Sequence, residues 1–163
     1  MAYPRTTVTT RNTGSIASGR VNEAMATAQR SWLQGVLRRV RDDVRAFSPV
    51  DLGAFKKSVL YRTTRKGLLV EGEVYATDTP DGKVAVIEYG RLPRRKMPPS
   101  GALLGWMSRH GISPKLEFVV RRNIADHGIK GKFPFRKAFA KNRGLFQSQA
   151  RDLQTVVTRA INA

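Results

Sequence analysis

The chain has 163 residues, a length typical of one domain, and carries 30 Lys and Arg against 12 Asp and Glu, for a formal net charge of +18. An excess of this size favours polyanions, anionic surfaces or acidic proteins as partners, because charges of one sign repel one another within a compact monomer. Cysteine is absent, which excludes disulfide frameworks and Cys-based zinc sites.

The N-terminal segment MAYPRTTVTTRNTGSIASG is rich in Thr, Ser, Gly and Arg and shows no period that would build a buried face. It also lacks the apolar middle of a signal peptide, and no apolar run in the chain reaches the roughly 18 residues of a membrane span. We therefore expect a flexible N-terminal arm at residues 1–19 and a single domain at residues 20–163. The protein is expected to be soluble, to have no membrane contact and to be made in the cytoplasm.

From Ser18 onward, apolar residues recur at spacings of three and four, which predicts one amphipathic helix that ends before Ser48 and Pro49. Such a helix would be roughly 40 Å long, more than a small core can cover, so part of its stripe is expected to meet another subunit. The stripe consists of Val21, Met25, Ala28, Trp32, Val36, Val40, Val44 and Phe47.

Two stretches of β-branched and aromatic residues follow, separated by Arg65, Lys66 and Gly67, and they predict a β-hairpin. A third strand is expected at Val84–Tyr89, after the turn TDTPDGK. The pattern as a whole predicts an α+β fold. A long N-terminal helix and a C-terminal helix pack on a small, mainly antiparallel β-sheet, with two short helices and a long basic, Pro-rich loop.

The segment GRLPRRKMPPSG, residues 90–101, holds three prolines and four cations and predicts that long exposed loop. The two short helices are expected around residues 103–110 and 116–127, each closed by a glycine, at Gly111 and Gly128. The last helix is expected to begin at about Pro134 and to be weakened in its middle by Gly144. Its apolar face comprises Phe135, Ala138, Phe139, Phe146, Leu153, Val157 and Ile161.

The residues that could support catalysis or hold a metal are few. His110 and His127 each lie beside an expected helix end, where an imidazole interacts with free carbonyls more readily than it ligates a metal. No phosphate-binding glycine loop is present. The carboxylates that could in principle hold Mg²⁺ have spacings that do not favour a site; they are Asp51, Glu71, Glu73, Asp78, Asp81 and Glu88. We expect no catalytic residues, no metal and no cofactor, and therefore no enzyme.

The region from Arg121 to Arg143 contains eight Lys or Arg and a single acid, Asp126, so its surface must be strongly positive. Phe133, Phe135 and Phe139 are interleaved there at helical spacing, which is more typical of a core than of base-stacking platforms. Non-specific attraction to DNA is compatible with this charge, but no sequence-reading signature is present.

Three separated segments resemble the tail-completion or head–tail joining proteins of long-tailed bacteriophages, a family that includes the minor tail protein Z group. The first, SPVDLGAFKKSV, is similar to the family's Pro-Val-Asp-Thr-Gly-x-Leu-x-x-Ser pattern. The second pairs YA with IEYG, and the third, IADHGIKGKFPFRKAF, is similar to the family's segment at the start of the last helix. The matched positions are Pro49, Asp51, Gly53, Ser58, Tyr75, Glu88, Gly90, Pro134 and Phe135.

The resemblance implies a virion structural protein, made in the cytoplasm of the host bacterium and located at the neck of the virion. It implies a ring, a hexamer or a dodecamer, that completes the tail and joins it to the head connector. Neighbouring head-connector and tail-tube or tail-terminator proteins would be the partners. In such a ring, channel-facing cations would hold DNA, whereas rim cations would dock on acidic neighbours. We favour the rim for Arg91, Arg94, Arg95 and Lys96, which form the candidate interface.

Two other classes of function stay open on the sequence alone. A basic, non-sequence-specific nucleic-acid-binding protein predicts tight, salt-sensitive binding by the isolated monomer. A metal-dependent nuclease predicts Mg²⁺-dependent cleavage that is lost when Glu88 or Asp51 is changed.

Overall fold

A long amphipathic helix near the N-terminus organises the rest of the chain. The computed structural model describes residues 5–11, 19–49, 53–67, 69–77 and 83–162. Helix α1 spans Gly19–Phe47 and ends directly before Ser48 and Pro49, as the sequence predicts. Its inward side is almost fully buried and contains Leu33, Val36, Leu37, Val40 and Val44.

A three-stranded antiparallel sheet packs against α1. Strand β1 is Arg5–Arg11, β2 is Val59–Lys66 and β3 is Leu69–Ala76, with the spatial order β1-β3-β2. The predicted hairpin is confirmed, because β2 and β3 pair from Val59 opposite Ala76 to Lys66 opposite Leu69. Alternate residues of β3 are buried, which places one face of the sheet in the core.

The helix lies directly over the middle strand at Gly72. A Cβ atom at this position would come within 2.6 Å of Leu37 Cδ1 and 2.8 Å of Leu33 Cδ2. Because both leucines are fully buried, they have little room to move aside. The absence of a side chain at Gly72 therefore sets how closely α1 approaches the sheet.

Two predictions about the sheet are wrong. The third strand is not Val84–Tyr89, because the residues Lys83–Tyr89 form a helix, α3. The third strand is instead β1, which pairs antiparallel with β3 from Arg5 opposite Tyr75 to Arg11 opposite Leu69. The prediction of a flexible arm at residues 1–19 is therefore wrong for Arg5–Arg11, where β-branched Thr and Val favour an extended strand and β3 offers a free edge.

The remaining elements follow in chain order. Helix α2 is Ala54–Ser58, β4 is Gly90–Arg91, α4 is Leu104–Arg109, a 3₁₀ turn covers Pro114–Leu116, α5 is Glu117–His127, β5 is Ile129–Lys130 and α6 is Pro134–Asn162. Strands β4 and β5 form a separate two-stranded antiparallel sheet. The two predicted short helices are confirmed as α4 and α5, and Gly111 and Gly128 after them have φ values of 67° and 75°.

Helix α6 packs along α1, and polar contacts join the two. Lys141 Nζ donates to Asp43 Oδ1 at 2.6 Å, and Asn142 Nδ2 donates to Asp43 Oδ2 at 2.7 Å. Burial alone would raise the pKa of Asp43, but the hydrogen bonds from Lys141 and Asn142 and the charge of Lys141 outweigh it, so the pKa lies below its ordinary value of 3.8.

The apolar stripe of α1 is largely covered within the chain. Met25, Val36, Val40 and Val44 are buried, and the last three belong to the core cluster that also contains residues of the sheet and α6. The predicted contact with another subunit would therefore fall to the rest of the stripe, and it stays a prediction. Phe47 is 38% exposed. The fold itself is α+β, as the sequence predicts, with a long N-terminal helix, small antiparallel sheets and a long C-terminal helix.

Candidate functional site

A buried carboxylate at the end of α3 holds the entry to helix α6. Glu88 is 3% exposed, and its two oxygens accept hydrogen bonds from the backbone N–H groups of Phe135 at 3.0 Å and Arg136 at 3.2 Å. Helix α6 begins at the fully buried Pro134, which has no N–H to satisfy. Glu88 thus satisfies two of the backbone donors that a helix start leaves unpaired, and its negative charge lies at the positive end of the helix dipole.

Helix α6 needs this distant carboxylate because it lacks a local cap. The residue before it, Phe133, has no side-chain oxygen and adopts a positive φ of 55°. Polar side chains from the preceding turn usually fill that role. The sequence predicted a helix start at Pro134, which is confirmed, but gave no reason to connect it with Glu88, expected in a strand.

The backbone around Glu88 and Gly90 lies very close to the backbone of residues 129–132, and glycines make this approach possible. At Gly90, where φ is 79°, a Cβ atom would lie 2.2 Å from the carbonyl oxygen of Ile129. At Gly131 a Cβ atom would lie 2.7 Å from the carbonyl oxygen of Glu88, and Lys132 N–H donates to the Ile87 oxygen at 2.8 Å. The second and third family-like segments therefore pack into one unit, in which Glu88, Gly90, Pro134 and Phe135 are neighbours.

The matched positions of the first segment lie around α2. Gly53 precedes the helix with a φ of 69°, in the left-handed region that favours glycine. Ser58 ends the helix, where its hydroxyl donates to the Phe55 carbonyl at 2.8 Å and its own carbonyl accepts from Thr77 N–H at 2.9 Å. Pro49 follows α1 and is exposed, whereas Asp51 lies outside the described residues.

Tyr75, the remaining matched position, lies near the end of β3. It is half-buried, and the guanidinium of Arg62 lies over its ring at 5.5 Å from the centroid. The next residue, Ala76, is buried in the core cluster that also contains Phe55, Val84 and Phe135. Each of the three family-like segments thus contributes a residue to the same hydrophobic core, namely Phe55, Ala76 and Phe135.

The four candidate interface cations lie on a loop that the chain itself anchors. Arg95 N–H donates to the Ala125 carbonyl at 3.2 Å, Arg121 Nε donates to the Pro98 carbonyl at 2.7 Å, and Gly101 N–H donates to Glu117 Oε1 at 2.6 Å, so three bonds tie residues 92–103 to α5. Arg91 is half-buried, and its guanidinium donates to the carbonyl of Lys96. Arg94, Arg95 and Lys96 are exposed. The predicted loop is confirmed beyond Arg91, although its first two residues form β4.

An apolar groove lies beside three of these cations. Its volume is about 780 Å³, and it is bounded by Ala85, Val86, Tyr89, Gly90, Arg91, Leu92, Arg95 and Lys96. Two of its large apolar side chains are open to solvent, since Tyr89 is 57% and Leu92 is 64% exposed. Arg94 does not line the groove. Sequence reasoning missed the groove, because it forms only where α3 and the loop meet.

A second exposed apolar surface lies at the start of α5. Leu116, Phe118 and Val119 are consecutive or nearly so, and they are 49%, 58% and 59% exposed. Ala125, near the other end of α5, is the one buried residue of this helix. Adjacent exposed apolar residues mark interaction surfaces more often than scattered ones do. We name Leu116, Phe118 and Val119 the α5 patch.

The eight carboxylates whose side chains the structure describes all have partners within the chain. Glu88 and Glu117 accept backbone N–H groups, the latter from Gly101 at 2.6 Å. The other pairs are Glu23 with Arg65, Asp42 with Arg41, Asp43 with Lys141, Glu71 with Lys66, Glu73 with Arg62 and Asp126 with Arg122. Hydrogen bonds from Arg65, together with its charge, lower the pKa of Glu23.

The described side chains do not assemble a metal site. Among them, no group of three or more His, Asp or Glu is placed to hold an ion. His110 Nδ1 lies 2.8 Å from the Trp106 carbonyl and His127 Nδ1 lies 3.3 Å from the Asn123 carbonyl, so both imidazoles interact with helix-end carbonyls as predicted. Asp51, Asp78 and Asp81, also considered as metal ligands, lie outside the described residues.

No helix in the described part of the chain combines the length and apolar character needed to cross a bilayer. In comparisons with known proteins, no protein-family model, curated protein or solved structure matches the chain.

Proposed function

We propose that the chain is a structural protein of a bacteriophage virion, which forms a ring at the neck, completes the tail and joins it to the head connector. The observation that carries the proposal is the contact of Glu88 with the start of α6. It joins two segments that resemble the tail-completion family and gives their matched residues a shared architectural role. Residues that build a fold without forming a reaction centre suit a protein whose work is assembly.

The exposed surfaces suit head-to-tail assembly. A ring whose subunits meet through two different surfaces closes when the rotation between them closes, and each subunit then needs two separate contact areas. The α5 patch, which is apolar and exposed, is suited to be one of these areas. We assign the α5 patch to contact with the next copy in the ring, a hexamer or a dodecamer.

The cations of the loop suit contact with other neck proteins. Arg94, Arg95 and Lys96 are exposed and have no ion-pair partner among the described residues. Rim charges of this kind steer association and select partners of opposite charge. We assign Arg91, Arg94, Arg95 and Lys96 to docking on an acidic surface of a head-connector, tail-tube or tail-terminator protein. Location in the virion neck and production in the bacterial cytoplasm belong to the same proposal.

The proposal is tested by joining heads to tails in vitro. Heads and tails assembled without this protein are mixed with the purified chain, and joined particles are counted by electron microscopy. The wild-type chain should restore joining, and a variant with Glu at residues 91, 94, 95 and 96 should not. The control carries Glu in place of Arg38 and Lys115, exposed cations outside the loop, and should join normally.

Failure of the wild-type chain to restore joining would contradict the proposed function. If joining is restored and the loop variant also joins normally, the docking assignment is wrong while the assembly role stands. A second candidate, non-specific nucleic-acid binding, is favoured by the excess of 30 Lys and Arg over 12 Asp and Glu. It predicts that the free monomer binds DNA tightly at low salt and releases it as the salt concentration rises.

A further inference from the structure

The groove beside the loop has the form of a preformed binding site. Helix α3 contributes Ala85, Val86 and Tyr89, and the chain from β4 onward contributes Leu92, Arg95 and Lys96 among others. Its surface is largely apolar, with a few polar groups at one side. That combination is typical of sites that take up one apolar group and orient it with a few polar contacts.

Both sides of the groove are held in place by contacts already described. Glu88 fixes the end of α3 against α6, and the pairing of Gly90 with Lys130 fixes β4 against β5. The bond from Arg95 N–H to the Ala125 carbonyl fixes the loop. A site whose walls are held before binding loses little conformational entropy when it is filled.

The charge of the groove selects the partner. Arg95 and Lys96 carry positive charge at the groove, and no described acid forms an ion pair with either. The eight carboxylates whose side chains the structure describes are engaged elsewhere in the chain, and a second copy would bring the same formal net charge of +18 to these cations. The complementary acidic groups are therefore better supplied by a different protein.

The apolar lining favours a protein segment over a nucleic acid as the occupant of the groove. Sites for single strands stack successive bases on several aromatic side chains, whereas among the described residues Tyr89 is the one aromatic that lines this groove. A duplex would present phosphates, which gain nothing from Val86 or Leu92. An apolar side chain flanked by carboxylates would satisfy both the apolar lining and the cations.

We infer that this groove binds a short acidic segment of another protein, with one apolar side chain entering between Tyr89 and Leu92 and flanking carboxylates pairing with Arg95 and Lys96. The inference rests on the proposed function in one respect, namely that the segment belongs to a neighbouring neck protein. It adds to that function the chemistry of the partner and an apolar anchor.

The test uses the full chain and three fluorescein-labelled probes in an anisotropy titration. The first probe is the peptide EDLFEDLE, the second is EDSSEDSE, which keeps the charges without the apolar groups, and the third is an oligothymidylate. The first peptide should bind at least about tenfold more tightly than the second, because burial of one large apolar side chain contributes that much. Affinity for the oligothymidylate should be lower than for the first peptide at physiological salt.

Two variants locate the binding to the groove. Leu92→Ser should weaken binding of EDLFEDLE by roughly tenfold or more and leave EDSSEDSE unchanged, since Leu92 is exposed and contributes apolar contact only. A double variant, Arg95→Glu with Lys96→Glu, should weaken both peptides. The matched controls are Leu116→Ser and the double variant Arg38→Glu with Lys115→Glu, and neither should change the affinity for EDLFEDLE by more than about twofold. Circular dichroism checks that each variant is folded.

Equal binding of the two peptides, or binding of EDLFEDLE that Leu92→Ser does not weaken, would overturn the inference. Absence of peptide binding, or tighter binding of the oligothymidylate at the same cations, would overturn it too. These outcomes are separable from the proposed function. A chain that restores head–tail joining without binding the peptide contradicts the inference alone, and a chain that binds the peptide without restoring joining contradicts the proposed function alone.

Discussion

The carboxylate of Glu88 accepts a hydrogen bond from the backbone N–H of Phe135 at 3.0 Å, across 47 positions of sequence. A second bond, from Arg136 N–H at 3.2 Å, makes the contact bidentate. The side chain lies in the core and caps a helix that has no cap of its own. This contact connects α3, which forms one wall of the groove, with α6, which packs along α1.

Removing the Glu88 carboxylate should destabilise the fold. Glu88→Ala leaves two backbone donors without partners in a buried place and removes the charge at the helix start, so the free energy of unfolding should fall by roughly 2–3 kcal/mol. Glu88→Gln keeps one acceptor oxygen and should cost roughly 1–2 kcal/mol. Urea unfolding followed by circular dichroism measures both. Glu117→Ala, which removes an exposed bond to Gly101, serves as the control and should cost less than about 1 kcal/mol. A Glu88→Ala variant no less stable than this control would contradict the capping role.

A side chain at Gly90 should be poorly tolerated. Gly90→Ala would place Cβ 2.2 Å from the Ile129 carbonyl oxygen at a positive φ, so β4 and β5 would have to separate. We expect a loss of more than about 3 kcal/mol in the free energy of unfolding. Gly67→Ala is the matched control, because Gly67 also has a positive φ, 62°, but has open space around it. It should cost about 1 kcal/mol. Equal losses in the free energy of unfolding for the two substitutions would show that the close backbone approach at Gly90 does not contribute to the destabilisation.

The contact of Asp43 with α6 predicts a dependence of stability on pH. The folded pKa of Asp43 lies below its ordinary value of 3.8, so the carboxylate stabilises the fold above that pH and the contribution is lost as the pH falls through the folded pKa. Asp43→Asn should therefore be less stable than the wild type by about 1–2 kcal/mol at neutral pH. The difference in free energy of unfolding between the two proteins should become smaller below pH 3.8 and then disappear. A difference that stays constant with pH would show that the charge of Asp43 is not involved.

Gly144 offers a stabilising substitution. It lies inside α6, and a Cβ atom there would meet no other atom within 4 Å. Gly144→Ala should raise the free energy of unfolding by roughly 0.5–1 kcal/mol, because alanine loses less backbone entropy in a helix than glycine. The measurement is again urea unfolding. A destabilised variant would indicate that α6 needs the freedom of glycine at this point.

Local signals in the sequence were sufficient for the long elements. These signals act within a few residues of where they stand. They are the 3.6-residue period of α1, the proline just after α1, the proline at the start of α6, and the glycines after α4 and α5. The inward positions of Phe135 and Ala138 were predicted and are confirmed. The inward position of Phe139 is wrong, since that side chain is 38% exposed and lies against Phe146 with ring centroids 5.3 Å apart.

Contacts between distant segments account for what sequence reasoning missed. The alternating β-branched residues of Val84–Tyr89 favour a strand, but a helix places Val84 and Glu88 on one buried face, where Glu88 reaches α6. Strand β1 depends on the free edge of β3, which no composition of residues 5–11 reveals. The groove requires α3 and the loop to meet, so neither Tyr89 nor Leu92 alone could predict it.

The mass of the purified chain in native mass spectrometry tests the central claim, assembly into a ring, most directly. It should be recorded at two salt concentrations, with and without the connector and tail-tube proteins. We expect a closed ring, a hexamer or a dodecamer, either alone or once the partners are added. A chain that stays monomeric with its partners, and that carries nucleic acid which it releases at high salt, would contradict the account and favour the nucleic-acid-binding alternative.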